Sequence, residues 1–166
     1  MVLSRLRETV FGARGLEIVT AETGDAKELA DLHAQGFERN WDTGEFYRLL
    51  AQKGVTALIA RSGKAKSSSP FGFVVVRQAA DEAEVLSICT AKQRRKRGVG
   101  ISLMREVLSH LAQLDCQSVF LEVAADNIAA ISLYRKLGFK RIAERPGYYQ
   151  SGSERKTALV MQLALR

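Results

Sequence analysis

Three stretches of this sequence carry residue types and spacings that could do chemistry. The first is KQRRKRGVG, Lys92 to Gly100, where five of the first six residues are basic and two glycines follow. Clustered cations beside glycines suit an anion, because a glycine lets the backbone approach a ligand without a Cβ in the way. The second is Glu122, flanked by Phe120, Leu121 and Val123. A carboxylate in an apolar run is either a general base or a buried, paired glutamate. The third is Tyr134, twelve residues further on. Its phenol could act as a general acid, or it could simply pack beside Ile131, Leu133 and Leu137.

Other chemistries find less support. The two cysteines, Cys89 and Cys116, lie in apolar runs without CxxC spacing or a histidine pattern. They read as reduced, buried thiols, and no metal site is expected. His33 reads as a helix-face histidine rather than a catalyst. Trp41 could pack or line a groove.

These groups need a frame to hold them. A chain of 166 residues suits one domain. At this size about 70% of the unfolded surface becomes buried, so no disulfide or metal staple is required. No apolar run approaches the roughly 18 residues of a membrane span. The net charge is +7, and five of those charges sit between Lys92 and Arg97, leaving about +2 elsewhere. Charge this focused implies a focused anionic partner.

Periodicity supplies the elements. LEIVTA alternates as a strand, and Asp25–Phe37 has helical spacing, with Asp25 as its expected N-cap. A short helix over about 44–52 follows Trp41. TALIARS and FGFVVVRQA read as a hairpin around a polar loop containing Ser67–Ser69. Residues 83–90 form a strand and 98–114 an amphipathic helix along Leu103, Met104, Val107, Leu108 and Leu111. SVFLEVA is a buried strand. NIAAISLYRKLGF is a helix capped by Asn127 and closed by Gly138. Two last strands, about 140–144 and 158–165, flank a loop holding Tyr148 and Tyr149. The order is β-α-α-β-β-β-α-β-α-β-β. The two crossovers predict parallel neighbours in one mixed α/β sheet. Residues 1–15 read as an N-terminal extension and 16–166 as the domain.

Context sharpens the basic stretch. It lies between a strand and a helix N-terminus, which presents unpaired N–H groups and partial positive charge. It is neither GxxxxGK[ST] nor GxGxxG, so nucleotide and dinucleotide loops do not fit. What remains is basic-x-x-Gly-x-Gly, at Arg95, Gly98 and Gly100, or a solvated basic loop.

Arg95-x-x-Gly98-x-Gly100 after a strand resembles the pyrophosphate loop of the GCN5-related N-acetyltransferase (GNAT) family. Leu121–Phe139, LEVAADNIAAISLYRKLGF, resembles that family's second signature. The resemblance covers about residues 16–165. Within the family, the LEV, AADN, LYRKLGF and PGYY segments, together with His33–Trp41, resemble the bacterial RimI type. That type acetylates the N-terminal alanine of ribosomal protein eighteen of the small subunit. The chain departs in having Cys89-Thr90-Ala91 where Val-x-Pro is common.

The resemblance implies a single mixed, centrally splayed β-sheet flanked by helices. It implies acetyl-CoA as co-substrate, held along Ile88, Cys89 and Thr90. The backbone of Arg95, Lys96, Arg97, Gly98, Val99, Gly100 and Ile101 would cradle its pyrophosphate, and Asn127 would touch it. Glu122 becomes the base and Tyr134 the acid. Trp41, Tyr148 and Tyr149 become acceptor contacts. The implied partner is a ribosomal protein N-terminus in the cytoplasm, with no membrane and no direct nucleic-acid contact. The oligomeric state is open, leaning to a monomer. Two alternatives stand beside this: an acetyltransferase for a lysine side chain or small amine, and a noncatalytic RNA- or ribosome-binding module.

Overall fold

In the computed structural model, residues 15–63 and 69–166 are described; all but the last residue of the expected extension over 1–15, and most of the Ser67–Ser69 loop, lie outside them. Seven strands form one sheet: β1 (Leu16–Thr20), β2 (Val55–Ser62), β3 (Gly72–Ala79), β4 (Glu82–Thr90), β5 (Ser118–Ala124), β6 (Lys140–Ser151) and β7 (Glu154–Ala164). Four helices accompany them: α1 (Ala26–His33), α2 (Thr43–Leu50), α3 (Val99–Gln113) and α4 (Ile128–Lys136). The element order is the one the periodicity predicts.

The strand order is β1-β2-β3-β4-β5-β7-β6. The first crossover, through α3, makes β4 and β5 parallel neighbours as expected. The second does not. β7 inserts antiparallel between β5 and β6, so α4 leads to an edge strand instead.

Burial alternates along β5, and the sheet is packed on both faces. Val119, Leu121 and Val123 join Leu103, Met104, Val107 and Leu111 of α3 in one core. On the other face Leu29 and Leu32 of α1 and Phe46 of α2 pack on Ile59, Phe73 and Val75. Phe46 and Phe73 are fully buried, which contributes about 1.5–3 kcal/mol each relative to exposure.

The β4–β5 ladder is short. Pairing runs only from Glu82–Ser118 to Glu84–Phe120, and beyond it the strands part. The cause lies in β4. Val76 faces Val85 and Val75 faces Ser87, so Leu86 is one residue too many. Such a bulge bends and twists its strand. It also flips side-chain parity. Ala83 and Val85 point into the α3–α4 core, whereas Cys89 points into the α1–α2 core.

Three local expectations need correction. Asp25 does not cap α1 with its side chain; its carboxylate accepts from Glu22 N at 2.8 Å and closes a preceding 3-10 turn. α1 ends at His33, not Phe37, because His33 turns inward and Phe37 and Trp41 stack on it. The segment around Tyr148 and Tyr149 is strand, not loop. β6 and β7 continue to a tight turn at Gly152, whose φ is +60°.

Candidate active site

The parted strands leave a seam in the middle of the sheet, and the chemical groups gather around it. Along β4, Ala91 N donates to Phe71 O on the β3 side at 2.8 Å. Peptide groups alternate along a strand, so those of Ile88 and Thr90 turn toward the seam. The peptide group of Cys89 faces β3.

Cys89 itself is an inert thiol. It is buried, its Sγ donates to Leu32 O at 3.4 Å, and burial pushes its pKa up to about 11 against the opposing charge of Arg95. Cys116 is likewise buried and free.

At the end of the seam stands the N-terminus of α3. Lys96 and Gly98 are left-handed, with φ of +60° and +81°, and they turn the chain into the helix. Gly98 occupies the cap position with no side-chain cap bond. The first N–H groups of α3 therefore point outward as the start of a helix must leave them. A Cβ at Gly100 would meet only Leu133 Cδ2 at 3.5 Å and Thr90 Oγ1 at 3.7 Å, both ordinary contacts. The fold does not demand glycine there, whereas an anion resting on the amides would. Lys92, Arg95, Lys96 and Arg97 are exposed around this turn. Arg94 differs: its guanidinium lies 3.9 Å over the Phe71 ring, tying the loop to the start of β3.

Glu122 faces away from the α3–α4 core, as its buried neighbours Leu121 and Val123 require. It lines a cleft of about 610 Å³ together with Trp41, Tyr148, Glu84, Arg77 and Leu86. Its Oε1 lies 2.9 Å from Arg145 Nη1. Both readings of this glutamate thus meet in one side chain, which is paired and also lines a cleft.

Tyr134 comes from the other side. It is buried on α4 within the α3–α4 core, with its ring 5.8 Å from that of Phe139. Leu133 beside it touches the Gly100 position, which brings α4 to the seam. Asn127 caps α4 as predicted, accepting from Ala130 N at 3.2 Å. Gly138, with φ of +95°, closes the helix.

His33 and Trp41 form the far wall. His33 is buried, and its Nδ1 accepts from Trp41 N at 3.1 Å. Burial lowers the His33 pKa, against a smaller upward pull from Glu45, so the ring is neutral and carries its proton on Nε2. Trp41 both packs, 5.5 Å from the Phe46 ring, and lines the cleft.

The structure therefore collects Glu122, Trp41 and Tyr148 at one cleft, and Thr90, Gly100 and the α3 N-terminus at one end of the seam. The side chain of Tyr149 lies outside the described residues. A second hollow of about 640 Å³ beside α4, near Ile128 and Arg135, holds none of the expected site residues. Sequence reasoning missed Arg145, Glu84 and the bulge residue Leu86. Arg145 was hidden because Arg145-Pro-Gly-Tyr reads as a loop; an alternating pattern across 140–151 would have been the signal. Among the described residues no cluster of His, Cys, Asp and Glu could hold a metal.

A bulged, parted pair of parallel strands with an amide-lined helix start at its end is the arrangement the family resemblance implies for an acyl-CoA-dependent N-acyltransferase. The chain belongs to the Acetyltransferase (GNAT) family, whose profile matches residues 26–139. It is 35% identical over 140 residues to the N-alpha-acetyltransferase RimI of Mycobacterium tuberculosis, covering 80% of this chain and 84% of that one. It is 25% identical over 148 residues to the ribosomal protein bS18-alanine N-acetyltransferase of Escherichia coli strain K12, covering 89% and 97%. The crystal structure of the Escherichia coli ribosomal-protein-S18-alanine N-acetyltransferase superposes with a TM-score of 0.82 at 23% identity, over 90% of this chain and 94% of that one. The chain is thus an acetyl-CoA-dependent enzyme, and the noncatalytic binding-module alternative falls. No helix among the described residues is long and apolar enough to cross a membrane.

Proposed function

We propose that this enzyme acetylates the free α-amine of a protein N-terminus, with the N-terminal alanine of a small-subunit ribosomal protein as acceptor. The observation that carries this reading is the cleft at Glu122. It lies on the face opposite the α3–α4 core, is walled by Trp41 and Tyr148, and has a volume of about 610 Å³. The identities to the two Nα-acetyltransferases support the same class of acceptor.

Acetyl-CoA supplies the thioester. The residues present fit it. Ile88 and Thr90 offer peptide groups along the seam, and Gly100 leaves a Cβ-sized gap beside the helix amides. Just past the bulge, the buried Ser87 hydroxyl has no hydrogen-bond partner among the described residues. The backbone from Arg95 through Ile101 would hold the pyrophosphate, and the exposed cations Arg95, Lys96 and Arg97 would add attraction. Asn127, beyond capping α4, would contact the same molecule.

The chemistry follows from position. An α-amine has a reference pKa of about 7.7–8.0, against about 10.4 for lysine, so it needs little help to lose its proton. Glu122 takes that proton, directly or through one water. The amine attacks the thioester carbon, and a seam-facing N–H of Ile88 or Thr90 steadies the oxyanion. Tyr134, on the other face of the sheet, gives its phenolic proton to the departing thiolate. Acid and base thus stand on opposite sides of the reacting bond. Tyr148 and Trp41, with Tyr149 on the same strand, hold the acceptor backbone.

The test is acetylation of a short Ala-Arg-Tyr-Lys peptide, which carries both an α-amine and a lysine ε-amine, against the same peptide with a blocked N-terminus. Transfer to the free peptide alone is the expected result. Equal transfer to both would move the acceptor to a side-chain amine.

A further inference from the structure

β6 is the sheet edge, and Arg145 and Glu122 meet above its neighbour. Arg145 stands opposite Ala158 on β7, and Glu122 stands opposite Val160 on the same strand. Leu159 and Met161, the alternate residues, point into the α3–α4 core. Ala158 and Val160 therefore face the other way, and both long side chains rise from that face. They cross β7 to a 2.9 Å contact between Nη1 and Oε1. The same guanidinium lies 5.3 Å from the ring centre of Tyr148.

The backbone beside Arg145 is loose in its pairing. The β6–β7 ladder breaks between Arg145 and Tyr149. Pro146 has no N–H to give, and Gly147 sits at φ +65°. The other cations of the cleft are placed differently. Arg77 pairs with Glu84 at 3.3 Å, and Arg48 stands across the cleft on α2 near Glu45. Glu122, which lines the cleft, is about one-fifth accessible, and Arg145 about one-half.

We propose that Arg145 is a positioning residue that holds the Glu122 carboxylate in the empty cleft and yields it to the acceptor's amine. This rests on the reading of Glu122 as the group that receives the amine. A guanidinium and an incoming ammonium are both cations, and Oε1 serves one of them at a time. A half-exposed pair is weak, so exchange costs little. Arg145 is then an internal stand-in for the acceptor's ammonium. It keeps the carboxylate aimed into the cleft until a competing cation takes its place.

The experiment compares steady-state kinetics of the unsubstituted enzyme, Arg145→Ala and Arg145→Lys with an Ala-Arg-Tyr peptide. Losing the competitor should lower the acceptor KM about two- to five-fold in Arg145→Ala. The acetyl-CoA KM should stay unchanged, and Arg145→Lys should restore the acceptor KM. An acceptor KM that is unchanged or raised in Arg145→Ala overturns the proposal. Thermal melting of both variants checks the fold.

A second readout needs no turnover: the Nε–H signal of Arg145 in ¹⁵N-arginine-labelled protein. It should move in Glu122→Gln, and on adding the free peptide but not its N-acetylated form. Indifference to Glu122→Gln overturns the pair, and indifference to the free peptide overturns the exchange. Failure of the acceptor reading shows separately, as an unsubstituted enzyme that acetylates no free α-amine.

Discussion

The Nδ1 of His33 accepts the backbone N–H of Trp41 at 3.1 Å, fixing the turn between α1 and α2 to the buried end of α1. The contact requires a neutral ring, because a protonated Nδ1 would be a donor facing a donor. Burial lowers the His33 pKa below its ordinary 6.5. The unfolded chain thus takes up a proton before the folded one does. The stability from this site is full above pH 6.5 and is lost as pH falls below it. Thermal melting should drop between pH 7.5 and 5.5. The drop should be smaller in His33→Gln, which can still accept from Trp41. An equal drop in both would remove His33 as its source.

Tyr134→Phe keeps the ring that packs against Phe139 and removes only the hydroxyl. Turnover should fall about 10²–10⁴-fold, the usual worth of a positioned acid. Acetyl-CoA affinity by calorimetry should stay within about two-fold. Unchanged turnover would return Tyr134 to a packing role.

Much of this was legible in the sequence, and the gaps have physical causes. The element order follows from periodicity, and Leu103, Met104, Val107, Leu108 and Leu111 are all buried on α3 as their spacing implies. The start of α3 at Gly98 was legible because glycine spacing at a helix start is a local signal. The insertion of β7 between β5 and β6 was not, since pairing partners distant in sequence leave no local mark. Nor was the bulge at Leu86, because one extra residue in an apolar strand looks like any other. Arg145 was missed for a related reason. Pro146 and Gly147 are turn residues, and here they interrupt an edge strand instead of ending it.

Glu122→Gln should slow transfer most at low pH, where the acceptor amine is largely protonated. An α-amine half-protonates near pH 7.7–8.0, so the deficit should be largest at about pH 6.5 and shrink toward pH 9. The measurement is kcat/KM for the free peptide across that range. A deficit of constant size would mean that Glu122 positions the peptide without taking its proton.

Gly98 and Gly100 are two residues apart and should fail in different ways. Gly98 sits at φ +81° with open space around its Cα, so Gly98→Ala forces a left-handed backbone on a residue with a Cβ. That costs about 1–2 kcal/mol, seen as a lower melting temperature. Gly100 has a helical backbone, and a Cβ there would make only ordinary contacts at 3.5 and 3.7 Å. Gly100→Ala should therefore leave melting unchanged or raise it, since alanine favours helix by about 1 kcal/mol over glycine. Its cost should appear in the ligand. Acetyl-CoA affinity should fall at least about ten-fold, because the new methyl group stands where the pyrophosphate would approach the amides. Gly100→Ala with full affinity would mean that the anion rests elsewhere on the loop, on the side of Lys96.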